Sequence, residues 1–273
     1  MEGSQNLKRI LVTGASGQLG LSLQDLASEY SEVEFVFKNS KDLNITDKEE
    51  VNKIFETRGF HYCINCAAYT NVEQAEKSPE IAHKINAEAV KNLALTCKHY
   101  DVTLIHISTD YVFDGEKGLP YTVDDQPNPI NVYGKSKWEG EKYIQEILDK
   151  YYVVRTSWLY HKIHGNNFYK TILKKANKGE ELHITDAQLG CPTNAVNLAK
   201  YLLTLVGKSN QQYGTYHFTD GKAMSWYGFA LNILEENGLK NTTTIAKENN
   251  YRSFAKRPKF SVLLTKNDSF GKK

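Results

Sequence analysis

Tyr133 and Lys137 are the residues whose types and spacing most directly suggest acid–base chemistry. A separation of four residues places two side chains on one face of a helix. Pro127 and Pro129 end the preceding loop, and the residues after Lys137 suit a helix. A fixed positive charge lowers the pKa of a neighbouring tyrosine from its usual value near ~10. Such a tyrosine can give a proton to a carbonyl oxygen near neutral pH.

An exposed helical Tyr–Lys pair is also common, so this interpretation requires a cofactor site elsewhere in the chain. Residues 8–13 form an apolar run typical of a buried parallel strand, and apolar residues at helical spacing begin at Leu21. Between them lies a glycine-rich turn, which lets the backbone approach a pyrophosphate at the start of a helix. We therefore favour a dinucleotide site over a plain strand–turn–helix, with cofactor contacts at Gly14, Ser16, Gly17, Gln18, Leu19 and Gly20.

The end of the second predicted strand, residues 34–37, bears on the choice of cofactor. A site strict for NAD carries an acidic residue there, which holds the ribose hydroxyls. Here Lys38, Asn39 and Ser40 follow, so no carboxylate repels a 2′-phosphate and Lys38 can attract one. The pattern favours NADPH, with NADH also accepted, although a solvated Lys38 is the alternative.

Strands and helices alternate along the rest of the first half. Residues 62–65, 102–108 and 151–156 predict strands, and residues 80–99 predict a helix. A further helix at 48–57 is expected to be capped by Thr46 or Asp47. Thr109 and Asp110 end a strand, which is where an open α/β sheet places its site residues. Ala67 and Ala68 end another, where they either make room for a ligand or simply pack.

The alternation predicts an α/β fold, a Rossmann-type doubly wound parallel sheet with a small C-terminal substrate lobe. We expect residues 1–157 to bind the cofactor and 158–273 to form mainly the substrate lobe, with some elements returning to the first part. Within the second part the predicted helices are 167–178, 195–206 and 227–236, and the predicted strands are 182–185 and 214–218.

Composition excludes several classes of protein. The chain has 273 residues, 40% hydrophobic and 24% charged, with a net charge of +2, which is typical of a globular protein and not of a nucleic-acid binder. No apolar run approaches the ~20 residues of a membrane span, and the N-terminus lacks a signal-peptide core. We therefore expect a cytoplasmic protein that binds neither membrane nor nucleic acid.

The cysteines and histidines show no metal pattern. Cys63 and Cys66 lie in or beside a predicted strand without a second pair, which favours buried structural thiols. His161 and His164 are three residues apart with no obvious third ligand, so we interpret them as surface residues. No metal is expected.

Three further stretches narrow the interpretation. Together with the glycine turn and the Tyr133–Lys137 pair, they resemble the dTDP-4-dehydrorhamnose reductases of the extended short-chain dehydrogenase/reductase family. These stretches are Asn-Cys-Ala-Ala-Tyr-Thr at 65–70, Ser-Thr-Asp-Tyr-Val-Phe-Asp-Gly at 108–115 and Val-Arg-Thr-Ser-Trp at 154–158. The motif Gln-x-Gly-x-Pro-Thr at 188–193 and Arg257-Pro258 also fit, so the resemblance covers residues 8–266.

The resemblance implies NAD(P)H-dependent reduction of the C4 keto group of dTDP-4-dehydro-L-rhamnose, the last step in making dTDP-L-rhamnose. Tyr133 is then the proton donor, Lys137 binds the nicotinamide ribose and lowers the pKa of Tyr133, and Thr109 steadies the developing charge on the keto oxygen. The implied cofactor contacts also include Asp42, Leu43, Ala67, Ala68, Tyr69 and Thr70. The implied substrate contacts are Thr109, Asp110, Tyr111, Trp158 and Arg257.

Two positions depart from the family pattern. Ser22 stands where some members carry a glutamate that binds a metal between subunits, so we expect a monomer or weak homodimer without a metal bridge. Phe260 replaces the asparagine of an Arg-Pro-x-Asn motif, which leaves substrate detail at that end open.

Three alternatives remain. The first is an epimerase of the same fold, whereas a dehydratase is disfavoured because Tyr111 stands in place of its glutamate. The second is a reductase for a related nucleotide-deoxysugar. The third is a non-catalytic regulatory homologue that binds a partner enzyme.

Overall fold

Six parallel strands form the central sheet of the computed structural model, which describes residues 7–207, 212–248 and 253–265. The strands are β1 Lys8–Thr13, β2 Val33–Lys38, β3 Tyr62–Asn65, β4 Thr103–Thr109, β5 Tyr151–Thr156 and β10 Gly214–His217, and their order is β2-β1-β3-β4-β5-β10. The chain winds from β1 to β2 on one side and then from β3 outward on the other. The point where this order reverses, between β1 and β3, is where such sheets bind nucleotides.

Helices cover both faces of the sheet, because side chains of each buried strand alternate between the faces. Ile10 and Val12 of β1 pack with one layer of helices, whereas Leu11 packs with the other. The first layer contains α1 Gln18–Leu26 and α8 Ala195–Thr204. The second contains α2 Lys48–Arg58, α5 Ala89–His99 and α6 Val132–Ile147. Both layers therefore confirm the doubly wound fold.

A π-helical turn interrupts the helix predicted at residues 80–99. The structure has α4 Pro79–His83, the π-helical turn Lys84–Glu88 and then α5, preceded by the short helix α3 Val72–Lys77, which the sequence did not predict. Asp47, rather than Thr46, caps α2, and its carboxylate accepts from the N–H groups of Glu49 and Glu50. This cap fixes where the chain turns back over the sheet after β2.

The second half of the chain has a smaller core of its own. It lies between α7 Phe168–Asn177 and α9 Trp226–Glu236, with Leu182, Ile172 and Phe229 among its buried side chains. The remaining strands are short: β6 Leu159–Tyr160, β7 Leu182–Ile184, β8 Leu189–Gly190, β9 Thr193–Asn194, β11 Met224–Ser225 and β12 Ile245–Lys247. Strand β10 joins the main sheet and α8 packs on α1. The division at residue 157 stays a prediction.

Two further expectations concern the burial of the cysteines and the absence of a helix that could span a membrane. Cys63 is buried, as predicted, but Cys66 is only half-buried and lines the cleft described below, so its interpretation as a buried structural thiol was wrong. Among the helices of the described residues, none combines the length and apolar character that crossing a membrane requires.

Candidate active site

A cleft of about 700 Å³ opens at the carboxyl ends of the central strands, around the point where the strand order reverses. A volume of this size suits a small-molecule or cofactor site. Fifteen residues predicted from the sequence line it, namely Gly14, Ser16, Gly17, Gln18, Leu19, Gly20, Leu43, Ala67, Ala68, Thr70, Thr109, Asp110, Tyr133, Lys137 and Trp158.

The glycine turn brings the backbone unusually close to neighbouring segments. Gly14 has a φ of +64°, and a Cβ there would lie 2.6 Å from the backbone nitrogen of Ala67. A Cβ on Gly20 would lie 2.6 Å from the carbonyl oxygen of Gly14. Helix α1 begins immediately afterwards, at Gln18, and the N–H groups of its first turn have no partners within the helix. The turn therefore fits the approach of an anionic pyrophosphate.

Tyr133 lies in the first turn of α6 and Lys137 one turn later, so both face the cleft. Asn131 caps this helix, because its side-chain oxygen accepts from the N–H of Gly134 at 2.7 Å. The Tyr133 ring packs edge-on against the ring of Tyr111, with 5.9 Å between centroids. Helix capping and ring packing thus fix where the phenol stands.

The expectation that Lys137 lowers the pKa of Tyr133 does not hold in this structure. Loss of solvation is the largest influence and raises the pKa of the phenol well above its ordinary value. A hydrogen bond with Thr109 lowers it, whereas the charge of Asp110 and the neighbouring Tyr111 raise it further. The phenol is therefore held in its protonated, proton-donating form.

Lys137 is almost completely buried, with 2% of its surface exposed. Its Nζ donates to the carbonyl oxygen of Ile107 at 2.6 Å and lies 3.2 Å from Nε2 of His106. Burial lowers the pKa of this ammonium to about 8, while Glu141 and Cys66 act to raise it. Because burial disfavours the charged form of the amine, Lys137 gains and loses its proton closer to neutral pH than an exposed lysine does.

A buried ion pair holds α6 against the sheet. The Arg155 guanidinium donates to Glu141 through Nη2 at 2.7 Å and through Nε at 3.1 Å, and Ser108 donates to the same carboxylate. Both charged side chains are buried. Because β5 carries Arg155 and α6 carries Glu141, the pair fixes the helix that bears Tyr133 and Lys137 in register with the strand ends.

Asp110 lies beneath Thr109 and is 2% exposed. Its carboxylate accepts from the hydroxyls of Thr109 at 3.1 Å and Ser157 at 3.0 Å. Burial raises its pKa to about 6, although hydrogen bonds from Ser261, Ser157 and Thr109 oppose the shift. The Thr109 hydroxyl carries one hydrogen, which rotation can direct to Asp110, to the Tyr133 oxygen or to a substrate oxygen.

An indole ring that lines the cleft, that of Trp158, is stacked on a second indole. Trp158 lines the cleft with a φ of +47°, a left-handed conformation that is uncommon for a bulky residue. Its ring stacks on that of Trp226 with centroids 3.6 Å apart, and Gly190 packs against the indole without a side chain. Trp226 in turn donates from Nε1 to Gln188 at 3.0 Å. Trp226 had no signal in the sequence that linked it to the site.

Four predicted contact residues do not line the cleft: Asp42, Tyr69, Tyr111 and Arg257. The exposed Asp42 accepts from the N–H of Asn39 at 3.4 Å. Arg257 pairs with Glu73 at 2.8 Å and donates to the Tyr111 hydroxyl at 3.3 Å. Any contact of Arg257 with a diphosphate has to share or replace that pairing, so its role remains a prediction.

The sequence also missed residues that line the cleft. Those at the carboxyl ends of the strands or in the loops that follow were foreseeable from position alone, namely Ser40, Asn44, Ile45, Thr46, Cys66, Ile107, Ser108 and Thr156. Ile85, Leu159 and residues 165–168 had no such signal. The segment at 159–168 reaches the glycine turn through Gln18, whose amide donates to Leu159 O at 3.0 Å and accepts from Asn167 at 3.2 Å.

The interpretation of His161 and His164 as surface residues without a third ligand was wrong. His161 is buried, His164 bonds Asp25 at 2.7 Å, and ligand atoms of all three lie within 4.8 Å of one another. The ring of His161 argues against a metal there, since its Nδ1 accepts from the N–H groups of Ile163 and His164. The proton of the neutral ring must then be on Nε2, which leaves no lone pair for a cation.

Comparison with known proteins identifies the family of this site. Residues 8–270 match the family described as RmlD substrate binding domain. The chain belongs to the RmlD family. Within that family it is 38% identical to the dTDP-4-dehydrorhamnose reductase of Aggregatibacter actinomycetemcomitans, over 95% of this chain and 92% of that protein.

Two further members of the RmlD family are informative. The dTDP-4-keto-6-deoxy-D-glucose reductase of Streptomyces niveus is 36% identical, over 81% of this chain and 76% of that protein. The crystal structure of the Bacillus anthracis dTDP-4-dehydrorhamnose reductase in complex with NADP has a TM-score of 0.90 and 37% identity, covering 97% of this chain and 93% of that one.

Proposed function

We propose that this protein is an NADPH-dependent dTDP-4-dehydrorhamnose reductase. The observation that carries the proposal is a single cleft lined by the glycine turn, Thr109, Tyr133 and Lys137, in a chain that belongs to the RmlD family. Relatives that cover most of the chain are reductases of this kind, and one is in complex with NADP.

The cleft suits a nicotinamide dinucleotide because the turn packs too closely on neighbouring backbone for a Cβ at Gly14 or Gly20, and this tight turn brings the start of α1 to the cleft. When bound, NADPH supplies hydride to the C4 carbon of the sugar. Residues of the glycine turn would hold the pyrophosphate at the start of α1. Lys38 lies beside Thr13 at the carboxyl end of β2, and its ammonium forms no hydrogen bond or ion pair within the described residues, which suits a 2′-phosphate.

In this proposal Tyr133 donates its phenolic proton to the C4 oxygen as that oxygen gains negative charge. Lys137 holds the nicotinamide ribose and stabilises the phenolate that remains. Thr109 rotates away from Asp110 and donates to the same oxygen. Trp158 covers the sugar. The protonated state in which burial holds Tyr133 is the state that a proton donor requires.

One alternative has an observation in its favour. The Streptomyces niveus relative is named as a reductase of dTDP-4-keto-6-deoxy-D-glucose, so a second 4-keto deoxysugar is a candidate substrate. The two sugars differ in stereochemistry, so the shape of the pocket around Trp158 would have to discriminate between them.

The test is oxidation of NADPH, followed by its absorbance, with dTDP-4-dehydro-L-rhamnose or dTDP-4-keto-6-deoxy-D-glucose as substrate. Each assay is run in EDTA and in Mg²⁺, because Ser22 stands where some family members carry a metal-binding glutamate. Ser22 is buried and donates to the carbonyl oxygen of Gln18 at 2.8 Å. We expect equal turnover of the rhamnose precursor in both buffers. Greater turnover of the second sugar would transfer the proposal to that substrate.

Loss of turnover in EDTA alone would contradict the expectation that no metal takes part. Absence of turnover with either sugar, from protein that binds NADPH, would overturn the reductase assignment and favour the regulatory alternative. Gel filtration of the same sample tests the predicted monomer or weak homodimer.

A further inference from the structure

A buried series of hydrogen-bonded side chains runs across the three strands β1, β3 and β4 to the Lys137 amine. Thr13 donates to Oδ1 of Asn65 at 2.6 Å, Nδ2 of Asn65 lies 3.0 Å from Nδ1 of His106, and Nε2 of His106 lies 3.2 Å from Nζ of Lys137. All four residues are buried, with at most 2% of their surface exposed. Their hydrogen bonds therefore have to be satisfied among themselves and with nearby backbone.

The backbone fixes which way the Asn65 amide points. The N–H of Ala67 lies 3.3 Å from Oδ1 of Asn65, and since an N–H group can only donate, the atom that faces it is the oxygen. The amide NH₂ then faces His106, whose Nδ1 must accept and carries no hydrogen. The single hydrogen of the neutral ring is on Nε2, directed at Lys137. Only an uncharged Lys137 amine has the lone pair to accept it.

A charged Lys137 requires a different arrangement. An ammonium has no lone pair, so it has to donate to Nε2 of His106, and the ring hydrogen must move to Nδ1. Asn65 must then turn its oxygen toward His106. The Thr13 hydroxyl can follow, because a hydroxyl both donates and accepts, and only the contact with Ala67 N–H is lost. Each charge state of the lysine thus has its own complete hydrogen-bond arrangement.

We propose that His106 is a positioning residue for the reduction, which couples the charge on Lys137 to the orientation of the Asn65 amide. The proposal rests on the proposed function only in giving Lys137 a part in catalysis. Its consequence reaches the cofactor groove, because Ala67 lines the cleft and bonds Asn65 in one of the two arrangements alone. Losing the lysine charge would therefore rearrange the groove wall as well.

The groups around the pair support a titration of the lysine rather than of the imidazole. Burial and the Lys137 charge both lower the pKa of His106, so the ring stays neutral near and above neutral pH. Lys137 faces Glu141 on its own helix and Cys66 at the end of β3, both of which raise its pKa, while burial lowers it to about 8. Near that pH His106 is expected to exchange tautomers without changing charge.

Nitrogen NMR of protein labelled with ¹⁵N-histidine tests this directly, from about pH 6 to about pH 10. The His106 signals are assigned by their loss in His106→Gln. We expect the Nδ1–H tautomer at the lower end and the Nε2–H tautomer at the upper end. In Lys137→Met we expect the Nε2–H tautomer throughout. A single tautomer across the range in the unaltered protein, or the same exchange in Lys137→Met, would overturn the proposal.

A kinetic measurement separates positioning from a structural role. A glutamine at 106 can offer the ammonium a carbonyl oxygen, whereas a leucine offers nothing. We therefore expect the alkaline limb of the kcat profile to move up by about one pH unit in His106→Gln and down by about one in His106→Leu. If both variants kept the alkaline limb of the unaltered protein and differed only in giving less active protein, the proposal would be contradicted.

The matched control is His161→Gln, another buried histidine, whose Nδ1 accepts from the N–H groups of Ile163 and His164 and which makes no contact with Lys137. Its alkaline limb should coincide with that of the unaltered protein. The NMR measurement uses neither cofactor nor sugar, so a failure of the proposed reductase activity leaves that test intact.

Discussion

One part of the cleft is lined from parallel strand ends and the long helix α6, whereas another is lined by Trp158, which precedes the two-residue strand β6 and stacks on Trp226. We call the first, with Thr109, Tyr133 and Lys137, the catalytic wall, and the second, with Trp158 and Trp226, the aromatic wall. In the catalytic wall regular elements fix the direction of each side chain. In the aromatic wall a left-handed backbone at Trp158 and a stacked ring do so.

The difference suggests a division of labour. The catalytic wall tolerates little displacement, because buried polar contacts such as Glu141 with Arg155 allow one arrangement. The aromatic wall is held in place by dispersion contacts and by buried apolar surface, whose energies vary more gradually with position. Substitutions in the first wall should therefore change the rate of the chemical step, and those in the second should change the binding of the sugar nucleotide.

Tyr133→Phe should give the largest effect. It removes the proton donor, so kcat should fall by about a hundredfold or more, while NADPH affinity should change little. Steady-state kinetics and fluorescence titration with NADPH measure the two. Tyr143→Phe, the same substitution on the outer side of α6, is the control and should leave kcat unaltered. An unchanged kcat in Tyr133→Phe would remove Tyr133 from the mechanism.

Trp158→Ala should change KM for the sugar nucleotide more than kcat. Loss of the ring face should raise KM for the sugar nucleotide about tenfold, with a smaller change in kcat. Trp158→Phe keeps a ring for stacking on Trp226 and should show an intermediate KM. If Trp158→Ala lowered kcat as much as Tyr133→Phe does, the division between the two walls would be wrong.

Lys38→Ala should weaken NADPH binding about fivefold and leave NADH binding nearly unchanged, because only NADPH carries the 2′-phosphate. The effect is modest since the side chain is partly exposed and salt screens it. Equilibrium titrations with both cofactors at two salt concentrations measure it. Lys53→Ala, an exposed lysine on α2, is the control. Equal losses for both cofactors would mean that Lys38 does not recognise the phosphate.

Trp158→Gly should be more stable than Trp158→Ala, although it has fewer atoms. A left-handed conformation costs a residue with a Cβ about 1 kcal/mol that glycine avoids. Urea denaturation should therefore give a free energy of unfolding about 1 kcal/mol higher for the glycine variant. As a reference, Gly190→Ala should destabilise the protein, because its new methyl group meets the Trp158 indole. Equal stabilities of the two Trp158 variants would show that no strain is stored there.

The predictability of the two walls also differs. Strands β1, β3 and β5 had the predicted bounds, because apolar runs of four to six residues between turn residues are typical of buried parallel strands. Pro127 and Pro129 likewise indicated that the loop before α6 ends near residue 130. These local signals were enough to bring Gly14, Thr109 and Tyr133 into one cleft.

Other features depend on contacts that no local pattern encodes. The two-residue strands are too short to show periodicity, and Trp226 stacks on Trp158 from the start of α9, which directly follows the strand β11 that pairs with β8. The cluster around His161 and His164 was missed because Asp25, which bonds His164, lies 139 positions before it in the chain. The pKa of Tyr133 could not be inferred from its spacing to Lys137, because burial, which the spacing does not reveal, is the largest influence on it.

The buried pair of Glu141 and Arg155 also constrains how such a chain can evolve. Replacing either partner alone leaves an uncompensated charge, at a cost of about 3–5 kcal/mol, which is a large part of the ~5–15 kcal/mol that holds a domain folded. A substitution at position 141 or 155 alone is therefore strongly destabilising unless the other position changes as well. In a collection of natural relatives, we expect an apolar residue at 141 to be accompanied by an apolar residue at 155, and rarely to be found without it.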